Sequence, residues 1–316
     1  KRIVRHTGDA GGREFGGWGH HTGNGFSMQP ILESARPGIK PLSAEDFLGK
    51  RGTEIFPVAS WLLPRHARKN ILAFYRFARG ADDIADDPCL PAEARLARLQ
   101  WLDATLHRTK ISMDELPEWT RAYAALLREG TLSPEHGENL LTAFMLDCVK
   151  TRYLNWEELM AYCHFSAAPV GRAVLELCGE RHANLASADA LCAALQVLNH
   201  LRDVGGDFRE QKRIYLSQEW MRDRDAPEAL LEAHGMTQAL RQVFDCHLNA
   251  CGTLLDEAEN LIPGLSRPGL RSECRMMLVL ARQLENRLRT EDPLARRVQP
   301  GWGDFLRAAW QCWRSA

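Results

Sequence analysis

The run RHARKNILAFYRFARGADDIADD, residues 65–87, decides the fold. Ile71, Leu72, Phe74, Tyr75, Ala78 and Ala81 recur close to the 3.6-residue period of a helix with one buried face. Pro64 stands where a first-turn proline belongs, and Pro88 stops the run. The same stretch ends by placing Asp82, Asp83, Asp86 and Asp87 close together with no lysine or arginine among them. Like charges at helical spacing repel by a few tenths of a kcal/mol per pair. Helix positions four apart lie about 40° apart around the axis and about 6 Å along it. Asp82 and Asp86 therefore share one face, with Asp83 and Asp87 as a second pair beside it. Solvated acidic faces usually intersperse basic residues at four-residue spacing. Here the nearest cation is Arg79, one turn upstream. A cation held between the carboxylates would offset their repulsion.

Working outward, the helical pattern continues. EARLARLQWLDATLH, 93–107, is amphipathic, and SPEHGENLLTAFMLDCV, 133–149, starts with Ser133 as cap and Pro134 at the first helical position. NWEELMAYCHFSAAPVGRAVLELCG, 155–179, reads as one long apolar helix stopped by Gly179. SADALCAALQVLNHLRDVGGDF, 187–208, begins at a serine cap and loosens at Gly205 and Gly206. Further helices fit 236–262 and 268–289. No alternating strand and no repeat is evident, so the expectation is a single all-α domain, a multi-helix bundle with a central cavity.

LQVLNHLRDVGGDFREQKRIYLS, 195–217, holds a second polar row: Gln196, Asn199, Asp203 and Asp207. They fall within about 80° of arc if the helix persists through the glycines. Leu195, Val197, Leu198, Leu201 and Val204 surround them. Oxygens on an apolar helix need partners, since burying them alone costs several kcal/mol. A hydrogen-bonded seam between helices is one answer. Two oxygen-rich rows without thiolate or a histidine cluster suit magnesium better than zinc. Arg79, Arg202, Arg209, Lys212 and Arg213 lie close by in sequence. Facing acid rows with bases at their mouth would make a diphosphate site on an apolar cavity.

The 316-residue chain has a formal net charge of −1, which gives no global pull toward nucleic acid, and no nucleic-acid partner is expected. Nine cysteines without a CxxC pair imply neither a disulfide framework nor a zinc site, and suggest a cytoplasmic protein. No apolar run is long enough to span a bilayer. Residues 1–40 are expected to be a disordered extension, with Met28 a candidate natural start, and 41–316 the catalytic domain. The C-terminal GWGDFLRAAWQCWRSA, 301–316, aligns Trp302, Phe305, Leu306, Trp310 and Trp313 at helical spacing with Arg307 and Arg314. That pattern fits either an interfacial helix, peripheral on the inner face of the cytoplasmic membrane, or a last helix docked on the core.

ADDIADD, 81–87, together with QVLNHLRDVGGDF and RIYL, resembles the head-to-head trans-isoprenyl diphosphate synthases, the squalene, phytoene and dehydrosqualene synthases. YCHFSAAPVG, 162–171, resembles the segment between that family's two aspartate motifs. The resemblance runs from FPVASWLLP, 56–64, to DPLARRV, 292–298. Within the family these stretches look most like the bacterial hopanoid branch, the hydroxysqualene synthases. The resemblance implies the isoprenoid synthase fold and a lyase reaction. Presqualene diphosphate would lose diphosphate, the cation would rearrange, and water would quench it to hydroxysqualene. Where many condensing relatives carry DxxED, this chain has DVGGD, with Gly206 replacing an acid.

Carried over by position, Asp82 and Asp86, with Asn199, Asp203 and Asp207, would ligate several magnesium ions. Arg79 would hold the diphosphate, with Lys212, Arg213 and Tyr215 on its other side, and Gln196, Arg297 and Ser60 contributing further contacts. Tyr162 would assist diphosphate departure or stabilise cations. His164 and His200 read as structural, since neither has a carboxylate partner evident in sequence. Phe56, Phe74, Phe77, Phe144 and Phe165 are candidates for facing a carbocation. There is no dinucleotide fingerprint, and no nicotinamide is expected. The expected partners are the lipid-like prenyl diphosphate, a membrane surface and other squalene-pathway enzymes. The rival readings are a condensing synthase making presqualene diphosphate, squalene or phytoene, and a catalytically silent pathway scaffold.

Overall fold

Pro64 caps the first helix without a side-chain hydrogen bond, and its carbonyl accepts the Ala67 and Arg68 N–H groups. The computed structural model describes residues 63–107 and 112–299, so the readings made for 1–62 and 300–316, Phe56, Ser60 and the tryptophan-rich C-terminus included, lie outside the described residues. All described residues belong to the unit Ala35–Ala316. Helix α1 is Arg65–Ala85, α2 Ala92–Leu106, α3 Glu118–Arg128 and α4 Glu135–Asp147. Next come α5 Trp156–Ser166, α6 Ala168–Cys178 and α7 Leu185–Gly206. The series closes with α8 Gln218–Arg222, α9 Gln238–Ala258, α10 Leu261–Gly264 and α11 Pro268–Thr290.

Helix α7 is central, packed against α5, α6, α9 and α11, while α1 packs against α2, α3, α4 and α6. Helix α6 therefore touches both helices that carry the polar rows. Of the apolar face read from sequence, Ile71, Phe74 and Ala81 are buried and Leu72, Tyr75 and Ala78 half-buried, with Phe77 buried beside them. Phe77 stacks on Tyr123 at 4.0 Å between ring centroids and Phe74 tilts against the same ring at 5.9 Å. These two phenylalanines are thus core, gluing α1 to α3, rather than groups free to meet a cation. Each such burial contributes roughly 2–3 kcal/mol.

Four local readings are corrected. The 155–179 run is two helices, broken at Ala167 one residue before α6 takes Pro169 into its first turn. Helix α7 is capped by Asn184, whose side chain accepts the Ala186 and Ser187 N–H groups, so Ser187 lies inside the helix. There its hydroxyl donates to Glu257. At α4 no side chain caps, and Pro134 occupies the cap position itself. A short parallel ladder joins β1, Arg152–Tyr153, to β2, Ile214–Ser217. It is too short to leave an alternating pattern, and β2 is buried along its whole length. The eight cysteines among the described residues are all free.

Gly80 permits the closest approach of α1 to α3: a Cβ there would lie 2.4 Å from Cε3 of Trp119. We expect Gly80→Ala to destabilise the fold by about 1–3 kcal/mol, the usual cost of overpacking, measured by urea unfolding. An unchanged midpoint would show that the two helices do not meet there.

Candidate active site

The last turn of α1 sets the first row. Arg79 reaches Asp82 at 3.4 Å and Asp83 at 2.9 Å. Asp86 is the residue that caps the helix end, its N–H donating to the Asp82 carbonyl at 2.9 Å. Its carboxylate accepts from Arg213 at 2.6 Å. The second expected pair separates: Asp83 stays on Arg79, whereas Asp87 accepts the Cys89 N–H at 2.9 Å in the following turn.

The second row lies along α7. The helix does persist through Gly205 and Gly206, and then widens into a π-turn, Asp207–Gln211. Lys212 follows in the left-handed region at φ 56°, an uncommon conformation for a residue with a side chain. The Arg213 N–H then returns to the Asp207 carbonyl at 3.1 Å. This tight reversal carries the Arg213 side chain back to Asp86 and starts β2. Asp203 is held by both guanidinium nitrogens of the buried Arg202. Gln196 bonds His200 at 3.0 Å, and His200 Nδ1 lies 3.7 Å from Asp207. His200 therefore does have a carboxylate partner, two helical turns on, contrary to the expectation from sequence.

The two rows act on each other. The Asp207 carboxyl is raised from its ordinary range by burial, held down by the neighbouring His200, and raised again by the charges of Asp203 and Asp86. Asp82 is raised well above the ordinary range by burial, then by Asp86, with Arg79 opposing and Asp147 adding to the rise. Charges from α1 and from the end of α7 thus share one region.

Asp147, at the end of α4, is the residue the sequence reading missed. It is buried, and both of its oxygens are used. Tyr162 donates to Oδ2 at 2.7 Å and Tyr215 donates to Oδ1 at 3.0 Å. Tyr215 also stacks on His200, centroids 3.6 Å apart. Tyr153 from β1 completes an aromatic cluster, 5.2 Å from Tyr162 and 5.5 Å from Tyr215. Burial pushes the Asp147 carboxyl up to about 6, against the pull of Arg213 and the tyrosine hydroxyls. The signal in sequence was one acid inside the apolar run LLTAFMLDC, 140–148.

The remaining candidates lie further from this centre or at its edge. Lys212 is exposed, with Nζ 5.2 Å over the Phe208 ring. Leu294, in the 292–298 segment, packs against Gly205 near the π-turn, but Arg297 itself is exposed. His164 meets Phe165 edge-on and Phe144 is buried. An open groove lined by Asp223, Arg224, Gln242, Asp245 and Cys246 includes none of the row residues.

Among the described residues, no three Asp, Glu, His or Cys side chains close into a metal cage by themselves. The donor set still fits magnesium. Asn199 Oδ1 is buried with no hydrogen-bond partner, an acceptor left open where such atoms are normally paired. Magnesium is usually held by one or two carboxylates, with waters and phosphate oxygens completing the shell. Partial ligand sets of this kind need no preformed cage.

The family model for squalene/phytoene synthase matches residues 50–304. A hydroxysqualene synthase of Sinorhizobium fredii is 40% identical over 77% of this chain and 82% of its own. A hydroxysqualene synthase of Rhodopseudomonas palustris is 38% identical over 78% of this chain and 82% of its own. The crystal structure of a squalene synthase from Alicyclobacillus acidocaldarius superposes with a TM-score of 0.64 at 28% identity, covering 73% of this chain and 86% of that one.

Asp147 offers a test of the site's electrostatics. Its folded-state value, about 6, lies above the ordinary 3.8. The stability this group contributes is therefore fully present below pH 3.8 and lost as pH rises through about 6. Asp147→Asn removes the charge that is penalised. We expect the variant to be more stable than the parent at pH 8 by on the order of 1–2 kcal/mol, with the gain vanishing near pH 4. Urea unfolding across that range measures it; a pH-independent difference would contradict the assignment.

Proposed function

Because the chain belongs to the squalene/phytoene synthase family, we propose that it is a hydroxysqualene synthase: it converts presqualene diphosphate and water into hydroxysqualene and diphosphate. The observation that carries the reading is Arg213, which ties the two rows together: its side chain donates to Asp86 at the end of α1 at 2.6 Å and its N–H to the Asp207 carbonyl at the end of α7 at 3.1 Å. That juxtaposition makes one anionic focus out of two rows. The similarity to hydroxysqualene synthases at 38–40% identity supports this branch of the family.

Ionisation breaks the carbon–oxygen bond heterolytically, the electron pair leaving with the diphosphate. Bound at Asp82, Asp86, Asn199, Asp203 and Asp207, magnesium would neutralise the charge that develops on the leaving group. The chain's own bases do the rest of the anchoring. Arg79, Arg202 and Arg213 already lie on the carboxylates, at Asp82 and Asp83, Asp203 and Asp86 respectively. Held in place by these carboxylates, their guanidinium groups would meet diphosphate oxygens with little reorganisation at the moment of reaction. Tyr162 and Tyr215 are held by Asp147 beside this focus, where their ring faces can favour a passing cation by about 1–2 kcal/mol. The rearranged cyclopropylcarbinyl cation then takes an oxygen from water, and the proton lost completes the alcohol. This makes the enzyme a carbon–oxygen lyase. At Gly206, where DVGGD lacks the acid of DxxED, a Cβ would meet nothing within 4 Å. The row has room for a further carboxylate and does without it, which favours the single half-reaction over condensation.

Incubation with presqualene diphosphate and magnesium, without nicotinamide, should yield hydroxysqualene by mass spectrometry. Farnesyl diphosphate alone should be left untouched; its condensation would establish the rival synthase, and no diphosphate release from either substrate would favour the scaffold. Asp82→Asn and Asp203→Asn should each lose at least about a hundredfold in kcat, the scale of removing an electrostatic stabiliser, while circular dichroism shows helical content intact. An active Asp203→Asn enzyme would overturn the metal assignment.

A further inference from the structure

Helix α1 carries its charges against its own dipole at both ends. Acids are favoured in a helix's first turn and bases in its last. α1 has no acid in its first turn and no base in its last. It opens with Arg65 and Arg68, continues with Lys69 and Arg76, and ends on Asp82, Asp83 and the capping Asp86. The acidic end belongs to the site. The basic end does not, because at 1.5 Å per residue Arg65 lies about 25 Å along the axis from Asp82.

Arg65, Arg68, Lys69 and Arg76 fall within about 100° of arc. Arg65, Lys69 and Arg76 are exposed and Arg68 is half-exposed, with the half-exposed Leu72 between them. None of the four enters an ion pair among the described residues, whereas Arg79 on the same helix does. Four cations thus stand along one ridge of a chain whose net charge is only −1, without an ion pair to any acid among the described residues, and the helix dipole opposes Arg65 and Arg68 in the first turn.

We propose that this ridge docks the protein on an anionic lipid surface, each cation on a separate phosphate headgroup. The spread decides the ligand class. Arg65 and Arg76 are about 16 Å apart along the axis, too far to converge on one phosphate but suited to several headgroups in a plane. A near-neutral chain lacks the overall charge that holds a nucleic-acid backbone, while a local basic ridge suffices for a fluid anionic bilayer, which supplies headgroups to it. The choice of a membrane rests on the proposed function, in which substrate and product are both lipids.

The test is sedimentation of the full chain with vesicles of phosphatidylcholine alone or mixed with phosphatidylglycerol. Binding should require phosphatidylglycerol and weaken as salt rises. Each basic residue contributes about fivefold, so Lys69→Gln should weaken binding about fivefold. Changing all four, Arg65→Gln, Arg68→Gln, Lys69→Gln and Arg76→Gln, should weaken it by at least about a hundredfold. The fourfold variant should keep its helical content and release diphosphate from presqualene diphosphate in detergent micelles at the parent rate. Equal binding to both vesicle types, or unchanged binding by the variants, overturns the proposal. So does displacement from vesicles by inorganic phosphate beyond the effect of chloride at equal ionic strength, which would mark a discrete phosphate site. Absence of diphosphate release by the parent would sink the functional reading alone, since the vesicle comparison is read independently.

Discussion

The structure turns on the repulsion between carboxylates gathered inside a helical bundle. Asp82, Asp83, Asp86, Asp147, Asp203 and Asp207 come from the ends of three helices, and burial first, then their mutual charges, raise Asp82 and Asp207 above the ordinary carboxylate range. Left to itself such a cluster opposes folding. Arginines restrain it: Arg79 on Asp82 and Asp83, Arg202 on Asp203, Arg213 on Asp86. Burial adds its own cost, pushing the Asp147 carboxyl up to about 6 against the pull of Arg213 and the tyrosine hydroxyls. Gathering these aspartates inside the bundle therefore draws on the folding free energy supplied by the apolar core. The stacked core of Phe77 and Tyr123, one to two turns from Asp82, supplies rigidity where the repulsion is largest.

The route by which Arg213 reaches Asp86 shows how local geometry serves this balance. The two residues are 127 positions apart. A plain helical continuation past Gly206 would carry residue 213 onward along the helix. The π-turn at Asp207–Gln211 and the left-handed Lys212 reverse the chain within six residues. Gly205 leaves the turn room to pack closely. A Cβ there would stand 3.0 Å from the Arg209 guanidinium and 3.2 Å from Leu294. The same reversal makes β2 pair with β1, which brings Tyr215 to Asp147 and stacks it on His200. One irregular turn therefore positions an arginine for the first row and, for the second, the tyrosine whose ring braces His200.

Much of this was legible in the residues, and what was not has physical causes. The helices announced themselves because each buries one face, so apolar spacing survives in the sequence, as with Ile71, Phe74 and Phe77. The two polar rows were legible because oxygens among leucines demand an explanation. Boundaries were less visible. Asn184 and Ser187 are equally good caps on paper, and only tertiary packing, which draws the Ser187 hydroxyl to Glu257, decides between them. Strand β2 is fully buried, so RIYLS carries no alternation to read. Asp147 stands apart from Glu135 and Glu138 in the first turn of its helix, so it shares no motif spacing with them; it acquires meaning from tyrosines 15 and 68 positions away.

His200 shows why residue types alone understate such a site. Its ring lies flat on Tyr215, bonds Gln196 on one side and faces Asp207 on the other. Two of those partners sit on its own helix and the third is borrowed from β2. The borrowed tyrosine is itself oriented by Asp147, which also holds Tyr162. The second row is thus connected to α4 and α5 through side chains that are not candidate ligands. A change at Asp147 would be felt at His200 and Asp207 through Tyr215, with no carboxylate of either row altered. Ligand rows of this kind are only as rigid as the buried network behind them, and here that network hangs on one aspartate accepting two hydroxyls.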